Sequence, residues 1–192
     1  MKSLQLLTFS TLFFICINAA AQTDVPKGTI KGTIMLSDSS VVSGYFKEKI
    51  HSNASLTLMG DDNKKKKTYD GSDLISAEVG DEKFICIKGD FFKVISDGKL
   101  KFLQKASDAS SKPIYNGNQA IFTNGTPGTP GDYFIYNNTA KELKLVNRKS
   151  VAAVAEASFA GCDEALTKAK SVNGDVAKLN EAVDIYNSRN RN

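Results

Sequence analysis

The feature that most constrains the fold is a period-two alternation of apolar and polar residues from residue 27 to about 146. Within Ile30–Leu36, isoleucine, glycine and leucine occupy every second position, and lysine, threonine and methionine lie between them. Successive side chains of a strand point to opposite faces, so this pattern predicts β-strands with one face inward. Residues 84–87 are apolar at every position, which predicts a strand that is covered on both faces.

Turn signals separate the strands in the middle of the chain at intervals of about nine residues, which is typical of an antiparallel meander. The signals are Gly80-Asp81, Gly89-Asp90 and Asp97-Gly98. They predict strands at 74–79, 83–88, 91–96 and 99–105. Asp97-Gly98 predicts a type I′ turn, and Gly89-Asp90 predicts a type II′ turn because glycine comes first.

Further strands are predicted after a polar linker at 106–112, namely at 119–123, 133–136 and 142–146. Residues 124–132, "NGTPGTPGD", are predicted to form a long hairpin tip, because Pro127 and Pro130 cannot donate ladder hydrogen bonds. A phosphate-binding loop is disfavoured, since such a loop ends in Gly-Lys-Ser/Thr and opens a helix.

The pattern changes after Arg148 to alanine-rich segments of helix-forming residues. We expect two or three short helices within 148–188, with Asp175 as the N-cap of a helix at 176–186. Their apolar stripes need a partner, and the preceding sheet is the nearest one. The predicted class is α+β, mainly antiparallel β (a curled sheet, a partial sandwich or a barrel), in one domain at 22–192 with strands at 27–146.

The first 21 residues predict a signal peptide. Lys2 precedes an apolar run at 4–17, which is shorter than the about 20 residues of a membrane span. Ala19 and Ala21 satisfy the cleavage rule, so we expect cleavage after Ala21 and export to the periplasm or the exterior. Cys16 lacks small residues before it, so no lipid anchor is predicted. No transmembrane segment is predicted in the mature chain.

Composition is that of a globular protein, with 41% hydrophobic and 24% charged residues. The formal net charge of +4 is too small to favour nucleic acid as a partner.

Catalytic and metal-binding signals are sparse. The chain has one histidine, His51, in a predicted exposed turn, and lacks the spacings of zinc sites and the Gly-x-Ser-x-Gly element of serine hydrolases. We therefore predict no catalytic residue, no metal and no cofactor. Five carboxylates keep a carboxylate-dependent hydrolase open as an alternative: Glu48, Glu78, Asp81, Glu82 and Asp90.

Four consecutive lysines, Lys64 to Lys67, lie between Asp61, Asp62, Asp70 and Asp73. The charges of the stretch cancel within a Debye length of about 10 Å. We predict a solvated hairpin tip whose lysines discourage edge-to-edge strand pairing. Binding of an acidic surface or glycan is the alternative.

Two cysteines remain after the leader, Cys86 and Cys162. In an oxidising compartment they permit one disulfide, which closes a long loop and stabilises by roughly 4 kcal/mol in the chain-entropy model. Two buried thiols are the alternative.

Several segments together carry a resemblance: "NAAAQ", "KGTIMLSDSSVVSGYF", "YDGSDLISAEV", "FFKVISDGKLKFLQK", "YFIYNNTAKELKLV" and "FAGCDEALTKAK". With them the chain resembles a loose group of uncharacterised secreted or periplasmic envelope proteins of Gram-negative bacteria. The resemblance implies a β-rich domain finished by short helices, and the group has no assigned activity.

We therefore expect a non-enzymatic exported envelope protein, a structural or binding module for another protein or an envelope component. The alternative is a carrier of small hydrophobic ligands with a pocket lined from 84–87 and 91–95. The hydrolase is the second alternative.

Overall fold

The computed structural model describes residues 25–109, 114–116, 119–121 and 125–190. The predicted signal peptide at 1–21 lies outside the described residues. Among the described helices, none has the length and apolar character needed to cross a membrane.

The described strands follow one another along most of the chain. They are β1 (Ile30–Leu36), β2 (Val41–Lys49), β3 (Ser55–Met59), β4 (Lys65–Asp70), β5 (Leu74–Val79), β6 (Glu82–Ile87), β7 (Asp90–Ser96), β8 (Leu100–Lys105), β9 (Ile114–Asn116), β10 (Gln119–Ile121), β11 (Tyr133–Asn137) and β12 (Glu142–Val146). The helices are α1 (Ile50–Asn53), α2 (Val151–Ser158), α3 (Asp163–Lys170) and α4 (Leu179–Arg189), with a 3-10 turn at Val176–Lys178. The predicted α+β class, with a large antiparallel sheet and mostly C-terminal helices, is confirmed.

Ten strands form one open sheet in the order β12-β11-β8-β7-β6-β5-β1-β2-β3-β4, and β9 pairs with β10 separately. Strand β1 pairs with both β2 and β5, so it joins the meander β1–β4 to the meander β5–β8. The sheet therefore ends at two edge strands, β4 and β12.

Two of the predicted turns differ from the structure. The β6–β7 turn is Lys88-Gly89, with φ of 50° and 85°, because Ile87 pairs directly with Asp90. Positive φ at both central residues is the requirement of a type I′ turn, so the predicted type II′ turn at Gly89-Asp90 is wrong by one residue. Asp97 does not adopt a positive φ, so the predicted type I′ turn at Asp97-Gly98 is also wrong.

The first core cluster joins β4 to the β6–β7 region, although these strands are distant in the sheet order. Phe46, Leu56 and Tyr69 pack with Phe84 and Phe91 in this cluster. Gly71, just after β4, forms an isolated antiparallel bridge with Gly89. The edge strand β4 therefore ends against the β6–β7 turn.

The second cluster holds the helices against β8, β11 and β12. Phe102 and Ile135 from the strands pack with Phe159, Leu179 and Val183 from the helical segment. Asn187 of α4 accepts a hydrogen bond from Leu100 N–H at 3.0 Å and donates one to Leu100 O at 2.8 Å. This pair of bonds mimics strand pairing and fixes α4 to the start of β8.

The N-terminal boundary of α4 differs from the prediction. The helix begins at Leu179 after the 3-10 turn, and Asp175 makes no side-chain capping hydrogen bond. Apolar periodicity located the helix but not its first turn, because local hydrogen bonds decide where the backbone changes conformation.

The third cluster lies on the opposite face of the sheet. Phe92, Leu103 and Phe134 are buried there, with partly buried residues such as Ile85 around them. Ile85 is adjacent to Phe84 of the first cluster, so β6 contributes apolar side chains to both faces. A Cβ on Gly128 would lie 3.2 Å from Phe134 Cζ, which shows that the segment after residue 124 crosses this face at close range.

We predict that Gly71→Ala lowers stability by about 1–3 kcal/mol, as expected for overpacking. A Cβ at position 71 would lie 2.0 Å from Gly89 O, a backbone atom that cannot move without opening the β6–β7 turn. Urea unfolding of the purified domain measures the change.

Gly44→Ala is the matched control, because its new Cβ meets the terminal Cδ1 of Leu58 at 2.7 Å and that side chain can rotate. Equal stability losses in the two variants would contradict the role assigned to the Gly71–Gly89 approach.

Candidate functional site

A buried ion pair is the most unusual polar feature of the described structure. Lys105 Nζ lies 3.1 Å from Asp90 Oδ2, and both side chains are 0% exposed. Asp90 begins β7 and Lys105 ends β8. Phe92 pairs with Lys105 across these strands, and Asp90 is two residues before Phe92, so all three side chains point to the face of the third cluster.

Both charges are surrounded by hydrogen-bond partners. Lys105 Nζ donates to Thr126 O at 2.9 Å and to Gly128 O at 3.0 Å. Asp90 Oδ1 accepts from Ala109 N–H at 2.5 Å, and Oδ2 accepts from Thr126 N–H at 2.7 Å and Thr126 Oγ1 at 2.6 Å. The pair therefore holds two connecting segments, at 106–109 and 125–128, against the sheet. A third charged group, Asp108 Oδ1, lies 3.9 Å from Nζ.

Sequence reasoning missed this pair. The sequence predicts a turn residue or a hydrolase candidate at Asp90 and the end of a strand at Lys105. A signal was present: Lys105 is two residues after Leu103, so strict alternation places the lysine on the same inward face. The partner could not be read from the sequence, because it comes from the neighbouring strand.

The basic edge, which we define as Lys65, Lys66 and Lys67, lies along the outermost strand β4. All three residues are exposed. The prediction of a lysine hairpin tip is therefore wrong for these residues; the turn lies at residues 60–64 and the lysines after it are in the strand. The strand register shifts at Leu58/Met59, opposite these lysines.

Part of the basic edge has no ion-pair partner among the described residues. Asp62 Oδ2 lies 3.2 Å from Lys64 Nζ, and hydrogen bonds from the backbone and side chain of Lys64 hold the pKa of Asp62 below its usual value. Lys67 Nζ lies 4.7 Å from the centroid of the Tyr69 ring, in cation–π geometry. Within the described ranges, Lys65 and Lys66 form no ion pair.

An apolar groove of about 180 Å³ lies between α2 and α3. Its lining includes Val151, Ala155, Leu166 and Val172. The carrier alternative predicts a pocket lined by residues 84–87 and 91–95, and none of these residues lines this groove. In the first cluster Phe84 and Phe91 pack edge to face, with ring centroids 6.3 Å apart.

The candidate hydrolase carboxylates have different partners in the structure. Glu78 pairs with Lys83 at 3.0 Å and Glu82 pairs with Lys93 at 2.5 Å. Glu48 accepts a hydrogen bond from Ile50 N–H, Asp81 is exposed, and Asp90 is buried with Lys105.

His51 is exposed on the short helix α1, where the turn was predicted, and its Nδ1 lies 3.1 Å from Ala106 O. In the part of the chain that the structure describes, no group of three or more histidine, cysteine or carboxylate side chains could hold a metal ion.

The two cysteines lie with different clusters. Cys86 packs beside the first cluster and Cys162, just before α3, beside the second. Both are free thiols in the structure, and burial raises the pKa of Cys86 far above its ordinary value. The Cys86–Cys162 disulfide remains a prediction that thiol counting decides.

Comparison with protein-family models, with curated proteins and with solved structures gives no match. Function is therefore argued from the geometry of this chain.

With Cys86 and Cys162 free, as in the structure, the mature chain has two titratable thiols, and we expect Cys86 to react much more slowly than Cys162. The raised pKa keeps Cys86 in the thiol form, and only the thiolate is the nucleophile. Alkylation at neutral pH followed by peptide mapping measures both rates, and a Cys162→Ser variant isolates Cys86. Failure to detect either thiol before reduction would instead establish the disulfide.

We expect Lys105→Met to destabilise the domain by about 3–5 kcal/mol, because it leaves the buried Asp90 carboxylate without a counter-charge. Chemical unfolding measures the loss. Lys99→Met is the control, since Lys99 is exposed one residue before β8 and its replacement should change stability by less than about 0.5 kcal/mol. Similar values for the two variants would contradict a stabilising role for the pair.

Proposed function

We propose that the chain is a non-enzymatic exported envelope protein that binds an extended acidic segment of a partner along the basic edge. The observation that carries the proposal is the position of three exposed lysines on the outermost strand β4. The partner is an envelope protein or component, and export rests on the predicted leader and on the resemblance described above.

An edge strand offers backbone N–H and C=O groups to a further strand. Peptides that add to a sheet edge obtain affinity from these main-chain hydrogen bonds and specificity from alternate side chains. Glutamate or aspartate on the added strand would lie near Lys65 on one face or near Lys67 on the other, because the register shift opposite them interrupts the alternation of β4.

The same lysines disfavour pairing between two copies of this chain, because two basic edges would repel each other. Like charges directly opposite on paired strands are destabilising. The predicted role in discouraging edge-to-edge pairing and the proposed binding role are therefore two consequences of one charge pattern.

Contacts at the C-terminal end of β4 hold this edge strand in place. Gly71 is tied to Gly89, and Tyr69 is buried in the first cluster, so the strand is anchored from the core side. These contacts support a curled form of the sheet, in which the edge is presented without large rearrangement. A preorganised edge lowers the ordering cost of binding.

The double variant Lys65→Glu/Lys66→Glu tests the proposal. A fluorescent peptide in which glutamate alternates with valine should bind the parent protein with an affinity that falls with added salt. We expect about tenfold weaker binding to the double variant, from two exposed charge pairs of up to about 1 kcal/mol each. Fluorescence anisotropy measures both affinities.

The double variant Lys141→Glu/Lys149→Glu is the control. It makes the same change in net charge at exposed positions away from β4. Equal weakening in the two double variants would show a general charge effect and would contradict binding at the basic edge. Absence of peptide binding to the parent protein would also reject it.

The groove between α2 and α3 favours one second candidate, a carrier of a small hydrophobic group. Its volume of about 180 Å³ is below the range of about 300–1,000 Å³ for drug-sized ligands, so it suits only a short chain or a single ring. A short-chain fatty acid that raises the melting temperature, with no effect of the acidic peptide, would favour the carrier.

A further inference from the structure

The buried pair holds an amine and a carboxyl group in contact where water is excluded. Lys105 Nζ and Asp90 Oδ2 are 3.1 Å apart at 0% exposure. Charges are costly in such a place, and their mutual attraction offsets the cost only in part. Transfer of one proton from Nζ to Oδ2 converts the ion pair into a neutral amine and a carboxylic acid.

The hydrogen bonds orient the amine for attack. Two of its hydrogens are directed to Thr126 O at 2.9 Å and Gly128 O at 3.0 Å. Once the third proton has moved to Asp90, the lone pair that remains on Nζ points to Oδ2, the oxygen bonded to the carbon that is attacked. The nucleophile is thereby held at close range to its electrophile, which removes most of the entropic barrier of a bimolecular reaction.

The carboxyl group is polarised by donors on both oxygens. Ala109 N–H lies 2.5 Å from Oδ1, where negative charge develops when an amine adds to the carboxyl carbon. Thr126 N–H and Oγ1 lie 2.7 and 2.6 Å from Oδ2, the oxygen nearest the amine. These donors can stabilise an addition intermediate and the departing hydroxyl.

A second carboxylate is in place to move the remaining proton. Asp108 Oδ1 lies 3.9 Å from Nζ, and the Asp108 side chain is 37% exposed. It is close enough to accept a proton from Nζ after a small shift and to deliver it to the leaving oxygen. Its partial exposure also gives the released water a path to solvent.

We propose that Asp90 and Lys105 react with each other to form an intramolecular amide bond. The Nζ–Cγ bond forms, the Cγ–Oδ2 bond breaks, and Oδ2 leaves as water with two protons that both come from Nζ. One hydrogen stays on the amide nitrogen, and no oxidant, cofactor or other reactant is required. The bond links the first residue of β7 to the last residue of β8.

This modification would be independent of binding at the basic edge. It would convert the contact that holds residues 106–109 and 125–128 on the sheet into a covalent link. An exported protein would thereby gain a cross-link that does not depend on the redox state of its surroundings.

The test is the intact mass of the purified mature protein after denaturation and reduction. We expect a mass lower than the sequence value by one water molecule, and a tryptic peptide containing Asp90 attached to one containing Lys105. The peptide that begins at Gln22 is measured separately, because cyclisation of an N-terminal glutamine also lowers the mass. A full sequence mass together with normal cleavage after Lys105 overturns the proposal.

Variants separate the chemistry from folding. Lys105→Arg retains a positive charge, but arginine cannot be deprotonated in proteins, so this variant should show no loss of water. Lys99→Arg, at an exposed position, should retain the loss. Persistence of the loss in Lys105→Arg would show that the amide is not at this pair and would overturn the assignment.

Asp108→Asn tests the proton relay. We expect the water loss to develop more slowly after synthesis in this variant, by about 10²-fold or more, as is typical for removal of a general base. A time course of intact mass after a synthesis pulse measures the rate. An unchanged rate would exclude Asp108 as the relay.

Discussion

The contact between Asp90 and Lys105 is the constraint that attaches the segments at 106–109 and 125–128 to one face of the sheet. Both faces of the sheet carry apolar side chains that must be buried. The C-terminal helices pack against one face, at the second cluster, and leave the face of the third cluster to other segments. Part of the second face is covered by residues 125–128, where a Cβ on Gly128 would lie 3.2 Å from Phe134 Cζ. Asp90 supplies acceptors for Ala109 and Thr126 N–H groups, and Lys105 supplies donors to Thr126 and Gly128 carbonyls. Phe92, Leu103 and Phe134 are buried on the same face.

The order of the strands places the proposed binding surface at an edge of the sheet. β1 occupies a central position because it pairs on both sides, and the two meanders extend outwards from it. The inner strands pair their backbone N–H and C=O groups with strands on both sides, whereas β4 is an edge strand with a row of exposed lysines. The proposed binding module would use the backbone groups and the charges of this edge together.

Much of the strand architecture was predictable because alternation is a local consequence of the pleat. The strands around Phe84 and Phe91 and the helical segment after Arg148 were located from their periodicity. The turn at Lys88-Gly89 was misplaced because Gly89 also suited a turn beginning one residue later, and the choice depended on the pairing of Ile87 with Asp90. The lysines of β4 were assigned to a tip for a similar reason: their strand is specified by its pairing with β3, since their own residue types do not favour strands.

The sequence by itself determined the class of fold. Apolar periodicity sets which segments form strands and which form helices, and short turns make consecutive strands antiparallel. Only the tertiary structure decided which faces were covered, which strand became the edge, and which two of the many charged residues met in the interior. The physical reason is that these outcomes depend on contacts between strands and loops far apart in the chain, where burial changes a charged side chain from a solvated group into one that needs a specific partner.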